Sequence, residues 1–297
     1  MTVQPTKSQS TNPSSPACGK TCSYEWDSVE EGKYYPLLHK AVNCPNTFHR
    51  MAYSPYPVVL PPPRRPPTSL TAEYTINGKC PISIRYINNS KKNATRRHYL
   101  TKLFNIYLRR DNVTNINSYR DKNVVKPALI KYRRFIDGKR IAVIGTEIPW
   151  AEAMLVNLGA SVTTIEYTNI KIQHERVTTI TPYLMAEHFI NGQAAPFDTA
   201  VTYSSLEHSG LGRYGDPLSP FGDLEASAQV WCMVKPGGHF ILAVPVSKDR
   251  QNCSVVWNAH RIYGTVRLQH LTANWRVLEE FEVLDGPKHR IYVLQKV

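Results

Sequence analysis

From Arg140 onward, short apolar runs alternate with amphipathic ones, and the alternation predicts strands separated by helices. IAVIG (141–145) reads as a strand ending on Gly145, and Pro149 suits the first turn of the helix that follows. Ala151, Met154, Leu155 and Leu158 share one face of that helix, which stops at Gly159. SVTTIEY (161–167) and RVTTI (176–180) are the second and third strands, followed by a helix over 182–190. FDTAVTYSS (197–205) is a fourth strand, a helix covers 223–234, and HFILAVPV (239–246) is a fifth, apolar strand. A helix near 263–271 leads to WRVLEEFEVL (275–284) and HRIYVLQKV (289–297), joined at the turn signal Asp285-Gly286-Pro287. Five strands separated by helices imply a parallel sheet covered on both faces, and the last two strands must be antiparallel to each other.

Ahead of Arg140 the pattern is looser. Residues 1–20 are polar and rich in Ser, Thr and Pro, and read as a disordered tail. Residues 21–78 read as an irregular Cys- and Pro-rich arm, 79–138 as a basic, partly helical segment, and 139–297 as the α/β domain. LPPPRRPP (60–67) is extended polyproline-like chain, more in keeping with a stiff spacer than with a ligand for a proline-binding domain. In the basic segment Tyr99, Leu100, Leu103, Phe104, Ile106, Tyr107 and Leu108 recur at helical spacing. A second amphipathic piece over 124–135 puts Ala128, Leu129, Tyr132 and Phe135 on one face.

A hydrophobic share of 42% over 297 residues supports a real core and excludes a wholly disordered chain. No stretch approaches the eighteen or so consecutive apolar residues of a membrane span, and the first twenty residues lack the apolar stretch of a secretory signal. The sequence as it stands therefore reads as cytoplasmic. Against that, Cys18, Cys22, Cys44 and Cys80 crowd the first eighty residues, with Cys232 and Cys253 in the α/β part. A Cys-rich appendage is the usual product of an oxidising compartment, so the secretory pathway stays open if an N-terminal signal is missing. The cysteine pairing is open too. The Cys18/Cys22 spacing is poor for zinc, and no metal site is expected. Sequons at Asn88, Asn93, Asn112 and Asn252 are about what this composition gives by chance.

The net charge of +13 is carried by one stretch: residues 85–140 hold sixteen Lys and Arg against Asp111, Asp121 and Asp137, and the rest is balanced. Such a block attracts nucleic acid, anionic glycans or a membrane surface, or forms the solvated face of helices. Aromatics interleave with the basic residues, but no recognisable nucleic-acid motif does, so nucleic acid through 85–140 is not favoured.

Ligands of open α/β sheets bind outside the carboxyl ends of the strands, which selects the residues to weigh. In GTEIPWAE (145–152) only Gly145 remains of a dinucleotide fingerprint. A nucleoside without phosphates asks less of this turn, and Glu147 can line its pocket. Glu166 ends the second strand about 20 residues later, placed to accept hydrogen bonds from ribose hydroxyls. YSSLEHSGLGRYGDP (203–217) is a polar, turn-rich loop at the same edge. Its His208 can serve as a general base near neutral pH, and Glu207 can if burial raises its pKa. The alternative is that the two cap the next helix or pair internally. NAHRIYG (258–264) brings His260, Arg261 and Tyr263 to face that loop, whereas VKPGG (234–238) is a structural turn at the far edge.

VIGTEIPW with IEY, FDTAVTYSSLEH and WCMVKPGGHFILAVPV resemble, in order and spacing, the motifs of class I S-adenosylmethionine-dependent methyltransferases. LEH and KPGG look like the small-molecule branch. More closely, SSLEHSGLGRYGDPLSPFGDLEASAQVWCMVKPGG and NAHRIYG resemble a nematode family of uncharacterised proteins with a methyltransferase-like core. CSYEW and PPPRRPP resemble it too, so the likeness runs from about 22 to 297. The resemblance implies a Rossmann-like α/β fold, a mostly parallel sheet with an antiparallel C-terminal hairpin, plus the irregular N-terminal arm. It implies S-adenosyl-L-methionine as cofactor, held by Gly145, Glu147 and Glu166, with Ser204, Ser205 and Leu206 near the methionine moiety. The function expected is methyl transfer to an unidentified acceptor, small-molecule or polymeric, and Arg213 and Arg261 can hold an anionic one through their planar donor forks. His208, then Glu207 and His260, are the catalytic candidates, and Arg213, Tyr214, Arg261 and Tyr263 the substrate-binding ones. The rival is a non-catalytic binding module on a degenerate form of the fold, which the single glycine of the first turn favours.

Overall fold

The computed structural model describes residues 42–52, 61–87, 100–109, 122–168, 170–282 and 289–297. The expected N-terminal tail, Cys18 and Cys22, three of the sequons (Asn88, Asn93, Asn112) and the turn at Asp285-Gly286-Pro287 lie outside them.

The centre is a seven-stranded sheet. Its strands are β2 (Arg140–Ile144), β3 (Ser161–Ile165), β4 (Val177–Ile180), β5 (Phe197–Tyr203), β6 (Val234–Pro245), β9 (Trp275–Glu282) and β10 (His289–Lys296). They lie side by side in the order β4-β3-β2-β5-β6-β10-β9. The first five run parallel, and β10 is antiparallel to both β6 and β9. Ile141, Ala142 and Val143 of β2 and Phe240 to Val244 of β6 are buried, as continuous apolar runs in a sheet covered on both faces must be.

Helix α4 (Trp150–Asn157) is buried from Trp150 to Val156, because α2 (Leu100–Arg109) lies over it. Phe104 and Tyr107 of α2, with Val125, Ala128 and Leu129 of α3 (Lys122–Lys131), complete that side of the core. On the other face sit α5 (Pro182–Ile190) and α6 (Gly222–Met233). The Thr181 hydroxyl caps α5 by accepting the Leu184 N–H, and Pro182 fits the first turn, where its missing donor goes unmissed. A short α7 (Thr265–Leu271) leads into β9. This is the Rossmann-like α/β fold expected from the resemblance, with the antiparallel C-terminal strands in place. No helix among the described residues is long and apolar enough to cross a membrane.

Three features differ from expectation. Val234–Gly238 is a bulged start of β6 rather than a turn: Val234 pairs with Phe197, the register shifts, and pairing resumes at His239 opposite Thr199. The arm is not irregular throughout, since α1 (Cys44–Ala52) packs against α5 and α6 and is joined to the latter by the Cys44–Cys232 disulfide. A second, three-stranded sheet was not foreseen. In it β1 (Ile82–Ile84) runs parallel to β7 (Ser254–Trp257), and β7 antiparallel to β8 (His260–Ile262).

The Cys80–Cys253 disulfide ties that small sheet together. Trp257 meets Tyr74 edge to face and donates its indole N–H to the Pro63 carbonyl, while the Tyr86 hydroxyl donates to the Pro62 carbonyl. The proline run is therefore docked onto this sheet. Asn258, between β7 and β8, accepts the Ile87 N–H and donates to the Leu211 carbonyl, holding the small sheet against the loop after β5. Part of the basic segment's charge is answered within the fold: Lys131 of α3 pairs with Glu279 of β9.

Candidate functional site

A cavity of about 390 Å³ opens at the carboxyl ends of β2, β3 and β5, within the roughly 300–1,000 Å³ of small-molecule sites. One wall is the turn after β2. Gly145 has φ +73° and donates its N–H to the Ile165 carbonyl. A Cβ there would come within 2.8 Å of Ser205 Cβ and closer still to its Oγ, so this turn and the one after β5 approach at a distance only glycine allows. Glu166 is braced at the end of β3, accepting the Thr146 N–H at 2.9 Å and the Thr168 N–H at 3.1 Å. Burial pushes its carboxyl up, against the pull of those amides. Glu147 lines the same wall.

The opposite wall is the loop after β5. Ser204, at φ +50°, donates its hydroxyl to Glu207 Oε1 at 2.5 Å. Glu207 is 1% exposed and its Oε2 has no hydrogen-bond partner. Burial raises its pKa, opposed by His289 and Arg213. His208 donates its Nδ1 proton to the Ala259 carbonyl, which fixes the tautomer because a carbonyl can only accept. Its Nε2 stands 3.7 Å from Glu207 Oε1, beyond hydrogen-bond reach. Burial, then the Arg213 guanidinium, lower the imidazole to about 3. The expected base near neutral pH is thus a neutral hydrogen-bond acceptor instead. His260 is likewise lowered by burial, then Arg213. Arg213 donates to the Ala259 carbonyl at 3.2 Å and lies 4.9 Å over the Tyr214 ring, and burial pushes that phenol up to about 12.

The structure therefore brings Gly145, Glu147, Glu166, Ser204, Ser205, Glu207, His208, Arg213, Tyr214 and His260 to one cavity. Leu206, Arg261 and Tyr263 are fully buried and do not line it. Leu206 belongs to the apolar core. Arg261 donates to the carbonyls of Ser209, Ser219 and Pro220, and Tyr263 donates to Asp223 at 2.9 Å. Arg267 pairs with Asp223 through two nitrogens, at 2.8 and 2.6 Å. That buried network shapes the loop after β5 and does not face a ligand. The two arginines hold the Asp223 carboxyl low despite its burial.

Asp216 of the same polar loop also lines the cavity, as do Tyr203 and His289, to which the sequence assigns no role. Asp216 accepts the N–H groups of Gly210, Gly212 and Tyr214, an anchor that the Gly-rich spacing hinted at. His289 stacks on Tyr203. It reaches the site because β10 runs antiparallel, so its first residue pairs with Pro245 at the carboxyl end of β6.

Residues 138–291 match the family described as Caenorhabditis protein of unknown function, DUF268. A comparison with curated proteins finds no match. Similar solved structures include a Burkholderia thailandensis 1,6-didemethyltoxoflavin-N1-methyltransferase with bound 1,6-didemethyltoxoflavin and S-adenosylhomocysteine. It is 14% identical with TM-score 0.44, over 73% of this chain and 94% of that one. TehB from Haemophilus influenzae is 13% identical with TM-score 0.43, over 66% and 67%. The N-methyltransferase NodS from Bradyrhizobium japonicum WM9, in complex with S-adenosylhomocysteine, is 12% identical with TM-score 0.39, over 66% and 98%. At such identities and scores these likenesses carry no functional argument. The chain belongs to the Caenorhabditis DUF268 family, a nematode family of uncharacterised proteins, here built on a Rossmann-like α/β fold.

Proposed function

We propose that this protein is an S-adenosylmethionine-dependent methyltransferase. The observation that carries the reading is the single cavity in which Gly145 and Glu166 on one side meet Glu207 and His208 on the other. The fit to the cofactor rests on two features: the turn after β2, which lines the cavity at Gly145, Thr146 and Glu147, and a braced carboxylate at the end of β3. Gly145, Glu147 and Glu166 would hold the nucleoside and its cationic end, with the Ser204–Ser205 backbone beside the methionine moiety. When bound, S-adenosylmethionine supplies an electrophilic methyl group.

The chain's own residues then have three tasks. His260 of the small sheet and the loop after β5 wall the acceptor side of the cavity. Arg213 and Tyr214 orient the acceptor, since in-line placement accounts for most of the rate in such a displacement. Glu207 takes a proton from the acceptor, a role suited to a buried carboxyl of raised pKa, while neutral His208 accepts a hydrogen bond and fixes direction.

Titration calorimetry of the purified protein with S-adenosylmethionine and S-adenosylhomocysteine tests this directly. Micromolar binding is expected. A folded sample that binds neither would contradict the enzyme reading and favour a non-catalytic module, the account consistent with Thr146 and Ile148 side chains lining a turn that is otherwise glycine-rich in active enzymes.

A further inference from the structure

The acceptor end of the cavity carries a pattern of unmatched hydrogen-bond acceptors. Glu207 Oε1 is satisfied by Ser204, but the buried Oε2 is not. His208 commits its one proton to the Ala259 carbonyl, leaving Nε2 as a bare acceptor. A carboxylate and an imidazole nitrogen therefore stand side by side in the wall, too far apart to bond, and neither can supply a donor to the other. Leaving a buried acceptor unmatched is costly, so a molecule that brings donors into the cavity is favoured at this end.

Donor count and charge discriminate among acceptors. A carboxylate or phosphate offers no donor and meets repulsion from Glu207. A hydroxyl offers one. A primary ammonium offers three and carries the complementary charge. Glu147, Glu166, Glu207 and Asp216 line the cavity with one guanidinium, Arg213; backbone amides hold Glu166 and Asp216, and Arg213 donates to the Ala259 carbonyl through one nitrogen while its Nε has no partner. Burial keeps His208 and His260 from adding positive charge, so the cations that face Glu207 are His289 and Arg213. The rings of Tyr203 and Tyr214 line the same end, and Trp150 stands edge to face with Tyr203. Such walls suit an apolar body and a cationic head.

We infer that the acceptor is a small primary or secondary amine with an apolar body, its ammonium held by Glu207 Oε2 and His208 Nε2. The inference rests on the methyltransferase reading for its use, and departs from the anionic acceptor that Arg213 and Arg261 first suggested. Activation needs one proton transfer: an ammonium N–H proton passes to Glu207 Oε2, leaving a neutral amine with a free lone pair and a neutral carboxylic acid. Burial of Glu207 favours that neutral form.

The test is calorimetric titration of the full chain, alone and saturated with S-adenosylhomocysteine, with three probes of matched shape. These are 2-phenylethylamine, 2-phenylethanol and 3-phenylpropionate. The amine is expected to bind at least tenfold more tightly than either of the others, and Glu207→Gln, which keeps size and removes charge, to weaken it at least tenfold. Tighter or equal binding of the alcohol or the carboxylate overturns the inference, as does binding of none of the three. The wild-type comparison stands even if the variant does not fold. Nucleoside binding without amine preference sinks the amine inference alone, whereas amine preference without nucleoside binding sinks the methyltransferase reading alone.

Discussion

Gly145 and Ser205, on the turns that follow two neighbouring strands, pack so closely that a single methyl group on the first would overlap the hydroxymethyl of the second. Gly145→Ala therefore imposes a left-handed residue and a displaced Ser205 together. The left-handed conformation alone costs about 1–2 kcal/mol, and the overlap adds to it. Denaturant unfolding should show a loss of about 1–3 kcal/mol. Adding Ser205→Gly should restore only the steric part, and full recovery would show that the backbone conformation costs nothing here.

Glu166 links β3 to the Gly145 turn through the Thr146 amide and offers its carboxylate to the cavity. A hydrogen bond to a charged group contributes about 1.5–3 kcal/mol, so Glu166→Ala should weaken S-adenosylhomocysteine binding roughly 10- to 100-fold. Arg261→Lys, altered outside the cavity, should change stability and leave that affinity within a factor of about three. Equal losses from both variants would mean that Glu166 acts through general stability.

Glu152 is a fully buried carboxyl on α4, accepting the Thr164 hydroxyl at 3.1 Å, and burial raises it from 4.5 to about 7. A group whose folded pKa is raised holds its proton more tightly in the folded state. Its contribution is thus full below its unfolded pKa and is lost as pH climbs through the folded value. Between about pH 4.5 and 7 this site should remove on the order of 3 kcal/mol, at about 1.4 kcal/mol per unit. Unfolding free energies at pH 5 and pH 8 should differ less in Glu152→Gln than in wild type; an unchanged difference would acquit the residue.

Two disulfides, Cys44–Cys232 from the arm and Cys80–Cys253 from the start of the basic segment, close loops of 188 and 173 residues onto the α/β domain. Links across loops of that length restrict the unfolded chain strongly, and such bonds persist where the compartment is oxidising. Non-reducing peptide mapping of protein matured under oxidising conditions should recover both linked pairs. Replacing Cys80 and Cys253 by Ala should lower stability by about 2–5 kcal/mol. Free thiols at these positions in the folded protein would contradict the assignment.

The seven strands of the large sheet were legible because the first five are apolar or β-branched runs separated by helices, which nearly dictates parallel pairing, and the last two flank a turn signal. The small sheet was not, since β1, β7 and β8 are three or four residues long and β1 finds its partner across most of the chain. Residues at the strand ends converged on one cavity because topology puts them there. Arg261 failed for a reason of period: neighbours on a strand face opposite ways, so with His260 in the cavity wall Arg261 turns to Asp223. His289 was missed because only the pairing of β10 with β6 reveals which end of the sheet it reaches.

Where the nucleoside sits is the point on which the functional account turns, and hydrogen–deuterium exchange with and without S-adenosylhomocysteine reads it by location. Slowed exchange is expected in the amides of 143–150 and 165–168, the walls built by the turns after β2 and β3. Binding that leaves both segments unchanged, or no protection anywhere in a folded sample, would contradict a cofactor site in this cavity.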